Sequence, residues 1–217
     1  MKKHIELPKE VKEYCIGFFL GDGYLFKIKN GNNCSLKISH GLKQENYLMW
    51  KHELLKNLSR AIRYTRIDDK RRNKIYHIKG FETRTHKFFT RYWKLLYHKG
   101  KKKLPERILK QMTPITLAAW IMDDGCLSEN NKNRKTTNWN YTLATHCFSL
   151  IEIQLLQQYL ENIFGLESKV HRDRERHRLW FNTTNSIKLA QIIKPFVPNC
   201  MEYKVKPIIE RYIVRGE

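Results

Sequence analysis

Acidic residues are scarce in this chain. Asp and Glu together number 21 against 42 Lys and Arg in 217 residues, a formal net charge of +21. An excess of that size points to a polyanionic partner. Nucleic acid fits better than a membrane surface, because the basic residues alternate along strand-like stretches instead of forming the polar face of one amphipathic helix. Cysteine is also sparse. Cys15, Cys34, Cys126, Cys147 and Cys200 are odd in number and show neither CxxC nor Cys/His ligand spacing, which argues against a zinc site or disulfide framework and fits a reducing compartment. No apolar run approaches the ~18 residues of a membrane span. The opening Met1 to Glu6 lacks the apolar core of a signal peptide. The chain is therefore expected to be soluble and intracellular with no membrane partner. Mitochondrion, chloroplast and bacterial cytoplasm stay open, since a removed organellar presequence would leave no trace. A nucleophilic triad is missing too: His40, His77, His146 and His177 fall on strand-like segments, as groove contacts or core partners.

What is present is a repeat. Tyr14 to Gly23 and Leu117 to Gly125 are both apolar runs of helical character that stop at an acid followed by glycine. Asp22 and Asp124 lie 102 positions apart (124 − 22), and Gly17/Ala119, Leu20/Met122 and Gly23/Gly125 keep that offset. So do Lys102-Lys103-Leu104-Pro105 and Lys204-Val205-Lys206-Pro207. Self-similarity at a fixed period across the chain is the mark of duplicated units. With 41% hydrophobic and 12% aromatic residues, there is enough apolar material for two small units to bury cores of their own.

The local pattern predicts α+β units in the order helix, hairpin, helix, hairpin, helix. In the first, Pro8 opens a helix over 9–22. Strands follow over 24–29 and 35–40, then a helix from Gln44 to Ile62, strands over 64–71 and 74–82, and an aromatic-rich helix over 84–97. In the second, Thr113-Pro114 caps a helix over 114–124, a strand begins near Cys126 and Tyr141 to Phe148 returns, and Ser149 caps a helix over 150–164. Strands over 167–173 and 176–183, a helix over 185–196 and a tail helix complete it. The expected division is 1–98, a basic linker over 99–112, and 113–217. Much of the positive charge falls on or beside the strands, giving as candidate contacts Lys27, Lys29, Lys37, Arg66, Lys70, Arg71, Arg72 and Lys74 in the first unit. In the second they are Lys132, Arg134, Lys135, Lys169, Arg172, Arg174, Arg176 and Arg178. A sheet with one apolar and one basic face suits a nucleic-acid groove.

An Asp before Gly at a helix end is commonly a turn residue, but duplication inside otherwise apolar helices gives Asp22 and Asp124 another reading. Packed about a pseudo-two-fold axis on Gly17 and Ala119, the motif helices would bring the two carboxylates together, where they repel unless a cation lies between them. A hard divalent ion, Mg²⁺, suits oxygen ligands, water and phosphate, and metal-bound water attacks phosphodiesters. Lys102 and Lys204 are the candidate basic partners, offsetting charge on the phosphate or orienting water. Asp123, whose repeat partner is Gly21, has no such counterpart.

At these residues the chain resembles the LAGLIDADG homing endonucleases, specifically the intron-encoded, single-chain members with two motifs. Cys15 to Gly23 and Leu117 to Gly125 fit the nine-position pattern, with Cys15 and Leu20 replacing the consensus leucine and first acid of one copy and Ala119 the consensus glycine of the other. The resemblance implies two pseudo-symmetric α-β-β-α-β-β-α repeats forming a saddle of antiparallel sheets, with motif helices packed at the central interface. It implies a monomer that cuts both strands of a long asymmetric DNA target and leaves short 3′ overhangs. Asp22 and Asp124 would be the catalytic metal acids, with Gly23 and Gly125 beside them in the metal set, and Lys102 and Lys204 the basic active-site residues. Mg²⁺ is the implied cofactor, with Mn²⁺ as a substitute and Ca²⁺ binding without cleavage. Two alternatives share the scaffold: an RNA-binding intron maturase, with intron RNA as partner, and a DNA-binding protein that does not cleave.

Overall fold

A computed structural model describes residues 5–29, 31–130 and 138–214. The chain divides into two compact units, one up to Lys94 and one from Leu95 onward.

The first unit opens with α1 (Lys9–Leu20), preceded by Pro8, and continues through β1 (Tyr24–Lys27), β2 (Cys34–Gly41), α2 (Glu45–Leu54), β3 (Arg63–Asp69) and β4 (Lys74–Glu82) to α3 (Lys87–Leu96), whose last two residues pass into the second unit. The four strands form one antiparallel sheet in the order β1-β2-β4-β3. Strand alternation sends Leu25, Leu36, Ile38 and Phe81 to one face, where they are buried with Phe18, Phe19 and Leu20 of α1, Tyr47 and Leu48 of α2, and Phe89 of α3. Aromatic contacts between Phe19 and Phe88, Phe89 and Tyr92 tie α3 to α1.

The second unit begins with a short hairpin, β5 (Tyr97–His98) and β6 (Lys101–Lys102), and the one-turn helix α4 (Glu106–Leu109). The stretch 99–112 is thus folded into this unit rather than being a bare linker, and the division falls at Lys94 rather than after residue 98. Then come α5 (Pro114–Asp124), β7 (Gly125–Asn130), β8 (Asn138–Ala144), α6 (Leu150–Phe164), β9 (Lys169–Asp173), β10 (Arg176–Phe181), α7 (Thr183–Ile193) and α8 (Lys206–Ile209). The sheet order β7-β8-β10-β9 repeats that of the first unit. Trp120, Ile121, Tyr141, Leu143, Leu156, Leu160, Leu179 and Phe181 form its buried core. Thr113 caps α5 by accepting from the Thr116 amide. Ser149 and Glu152 form a reciprocal capping box on α6.

The chief departure from the sequence reading is α2, which stops at Leu54 instead of running to Ile62. Leu55 and Leu58 keep helical spacing because both are buried, yet they lie in successive turns. Ser59 and Arg60 then bond to residues at the end of β4. In the second unit, α7 starts two residues early because Asn182 accepts from the Asn185 amide, and β8 ends at Ala144, short of Phe148. Among the described residues no helix is long and apolar enough to cross a membrane.

Candidate active site and nucleic-acid interface

Each motif helix ends against its own glycine. The Gly21 amide donates to the Gly17 carbonyl at 3.0 Å and the Gly23 amide to the Phe18 carbonyl at 2.7 Å. A Cβ on Gly23 would lie 2.6 Å from the Phe18 oxygen, and one on Gly125 would lie 2.5 Å from the Ile121 oxygen. Close approach to the helix end therefore dictates glycine after each acid. Backbone conformation does not, since φ at Gly125 is −79°. The Asp22 side chain is 40% exposed. Asp124 is half-buried and its Oδ2 accepts from Trp120 Nε1 at 3.2 Å.

Both carboxylates sit at the negative ends of their helices, and neither α1 nor α5 has a basic residue in its last turn. A negative charge there is unfavourable unless a cation accompanies it. In the second unit Lys204 supplies one. It is only 8% exposed, and its Nζ donates to the carbonyls of Ile121 (3.1 Å), Met122 and Gly125 (2.9 Å), while Tyr141 Oη donates to the Lys204 carbonyl. Two expectations change here. The Lys204 ammonium serves as a cap on the end of α5, and the Gly125 carbonyl faces that ammonium, a poor setting for a metal ligand. Lys204→Met would leave those carbonyl oxygens without a donor at a cost of about 2 kcal/mol. At about 2–4 °C per kcal/mol for a chain of this size, the melting temperature falls by about 4–8 °C. An unchanged calorimetric Tm would remove Lys204 from that role.

Lys102 lies on β6, half-buried. Burial pushes the Cys147 thiol up; Lys102 draws it down and Asp124 raises it further. Lys102 and Asp124 therefore both act on the Cys147 thiol.

In the first unit Asp22 has different company. Its Oδ2 lies 3.7 Å from His40 Nδ1, and His40 Nε2 lies 3.1 Å from Lys51 Nζ. The sequence reading took His40 as a groove contact or core partner and passed over Lys51. A signal was there: Lys51 falls four residues after Tyr47 and four before Leu55, on the face of α2 and the turn beyond it that is otherwise apolar.

The sheets supply the polar surface. In the first unit, strand parity sets Tyr24, Lys37, Ser39, Arg63, Thr65, Ile67, Lys74 and Tyr76 on the face opposite the core. Tyr24 and Ile67 are 54% and 44% exposed. Arg66, paired with His77, shares the parity of Phe81, and Lys27 that of Leu25, so neither belongs to this outer face. Lys29 lies just after β1, and Lys70, Arg71 and Arg72 at the β3–β4 turn, where Arg71 and Arg72 pair with Asp69 at 3.8 and 3.9 Å. The outer face of the second unit carries Thr142, Lys169, His171, Arg176, Arg178 and Trp180, with the His171 and Trp180 rings stacked at 5.2 Å. Arg172 shares the parity of Val170 on the other face, and Arg174 sits at the turn with φ 57°. Lys132, Arg134 and Lys135 lie outside the described residues. Arg63, Tyr24 and Trp180 are outer-face residues that the charge pattern alone did not select.

A model of the LAGLIDADG DNA endonuclease family matches residues 12–189. The cytochrome b mRNA maturase bI2 of Debaryomyces hansenii is 31% identical over 206 residues, covering 92% of this chain and 74% of that protein. A probable intron-encoded DNA endonuclease 3 of Mycosarcoma maydis is 32% identical over 130 residues, 58% of this chain and 90% of that one. Protein RecA of Mycolicibacterium flavescens is 30% identical over 200 residues, but the chain spans only 45% of its length. Among solved structures, the homing endonuclease I-WcaI bound to its DNA recognition sequence superposes with a TM-score of 0.84 at 22% identity, over 94% of this chain and 89% of that one. The same α+β architecture appears in the meganuclease I-AabMI bound to uncleaved DNA, at a TM-score of 0.60, 12% identity, and 94% and 91% coverage. With two motif helices, two sheets of like strand order and a family match across most of its length, the chain belongs to the LAGLIDADG DNA endonuclease family.

Proposed function

We propose that this protein is a site-specific endonuclease that hydrolyses both strands of a long double-stranded DNA target as a monomer, with Mg²⁺, leaving short 3′ overhangs. The observation that carries the reading is the duplicated carboxylate at the negative end of a buried helix, in two units that each present a basic, aromatic outer sheet face. The donor chemistry fits a hard divalent cation: Asp22 and Asp124 offer carboxylate oxygens, the negative end of α1 adds favourable potential at Asp22, and Gly23 would add a neighbouring backbone carbonyl. When bound, the metal supplies Lewis-acid activation of water and of the scissile phosphate. The chain's own part is to hold the carboxylates rigidly. Trp120 fixes Asp124, Lys204 secures the turn that carries it, and the outer-face cations Lys37, Arg63, Lys74, Lys169, Arg176 and Arg178 take phosphates and base edges. Lys102 would be the basic residue that acts on the reacting phosphate.

A plasmid library carrying random or intron-insertion sequences tests this. Double-strand breaks at one long sequence in Mg²⁺ or Mn²⁺, with binding but no breaks in Ca²⁺, are the expected result. Tight binding with no cutting in any metal would make the protein a non-cleaving DNA binder. A second reading, an RNA-binding intron maturase, is favoured by the maturase relative. It predicts retention of intron RNA on a filter in the absence of DNA, together with splicing in vitro.

A further inference from the structure

Lys51 is a costly side chain to bury. It is 0% exposed, a state lysine almost never occupies without partners, and moving an ammonium out of water costs several kcal/mol even after relaxation. Its Nζ lies 4.5 Å from the Phe18 ring centroid and 4.2 Å from that of Tyr47, so two π faces stabilise its positive charge. Lys51 also acts on the buried Cys15 thiol, and its Nζ lies 3.1 Å from His40 Nε2.

That contact decides the chemistry of the imidazole. An ammonium has donors and no lone pair, so Nε2 must accept. The ring is then neutral, with its single N–H on Nδ1, the nitrogen 3.7 Å from Asp22 Oδ2. His40 cannot readily turn away, because its side chain is 2% exposed and its ring is tilted against Tyr47 at 5.2 Å. A separation of 3.7 Å is an electrostatic contact, longer than a hydrogen bond. We propose that Lys51 is a positioning residue for Asp22: from within the core it fixes the His40 proton on Nδ1, and that N–H holds the Asp22 carboxylate in one orientation for metal binding. His40 thereby turns an N–H, not a lone pair, toward the carboxylate. The device belongs to the first unit alone, since the positions 102 residues after His40 and Lys51 are Thr142 and Ile153.

The inference rests on Asp22 being a metal carboxylate, and its test separates the two. Nitrogen-15 NMR of the metal-free protein, labelled at histidine, reads the tautomer directly. His40 is expected to carry its proton on Nδ1 with Nε2 bare; a proton on Nε2 overturns the proposal with no variant needed. Lys51→Met keeps the length of the stem and removes the ammonium. It is expected to release the tautomer preference and to raise the Mg²⁺ concentration for half-maximal cleavage by about 10–100-fold, the usual effect of losing a residue that orients a ligand. DNA affinity in Ca²⁺ should be unchanged. Lys51→Arg, which still donates, should recover the tautomer. If Lys51→Met keeps the Nδ1 proton and the wild-type Mg²⁺ dependence, the proposal fails. Should Asp22→Asn cleave normally, the metal reading falls while the tautomer still decides the link from Lys51 to His40.

Discussion

Asp22→Asn and Asp124→Asn should each slow double-strand cleavage by about 10²–10³-fold, the scale on which removal of preorganised electrostatic stabilisation acts. The substitution preserves shape: an asparagine oxygen at position 124 can still accept from Trp120 Nε1, which lies 3.2 Å from the present carboxylate. At Asp22 it removes a negative charge from a helix end with no basic residue in its last turn, so that variant should gain about 0.3–1 kcal/mol of stability, while at Asp124 the Lys204 ammonium on the end of α5 offsets the gain. Lost activity with a raised melting temperature marks a carboxylate kept for function at the expense of the fold. Cutting at the wild-type rate would sink the metal assignment, and a lowered Tm would show the acids to be structural turn residues. Binding in Ca²⁺, read by gel shift, should survive both changes.

The acids were legible in the sequence because repetition at a fixed offset is independent of structural context. Asp22 and Asp124 share it, and so do the sheet orders of the two units. The lysines were harder. Lys102 and Lys204 keep the offset, yet Lys204 is consumed by the end of α5 while Lys102 lies on a separate hairpin. Sequence symmetry does not carry over to equal surroundings. Lys51 and His40 have no repeat partners, and their significance comes from a meeting of α2 and β2 that local periodicity does not contain. The strands themselves were read nearly to the residue where alternation was strong, as in β4, which matches its expected span. Which cations share a face was another matter. Parity fixes that only once the register is known, and a strand shifted by one residue exchanges Arg63 with Arg66.

That exchange makes the salt dependence of DNA binding a test of the register as well as of the interface. Each phosphate neutralised by a lysine or arginine releases condensed counterions, so log affinity falls with log salt at a slope of about −0.9 per phosphate. A protein making about 6–10 such contacts loses about 10³–10⁵-fold in affinity between ~50 and ~200 mM salt. The outer faces carry Lys37, Arg63 and Lys74 in one unit and Lys169, Arg176 and Arg178 in the other, while the turns add Lys70, Arg72 and Arg174. The whole chain should therefore fall within that range. Arg63→Ala should lower the slope by about 1. Arg66→Ala should leave it unchanged, because Arg66 pairs with His77 on the face that carries Phe81. In the second unit the corresponding pair is Arg178, on the outer face, and Arg172, on the other. If Arg66 and Arg172 set the slope in place of Arg63 and Arg178, the outer faces are not the surface that meets the duplex, since the opposite faces are buried under the helices. A flat response to salt would leave no role for either face in a groove.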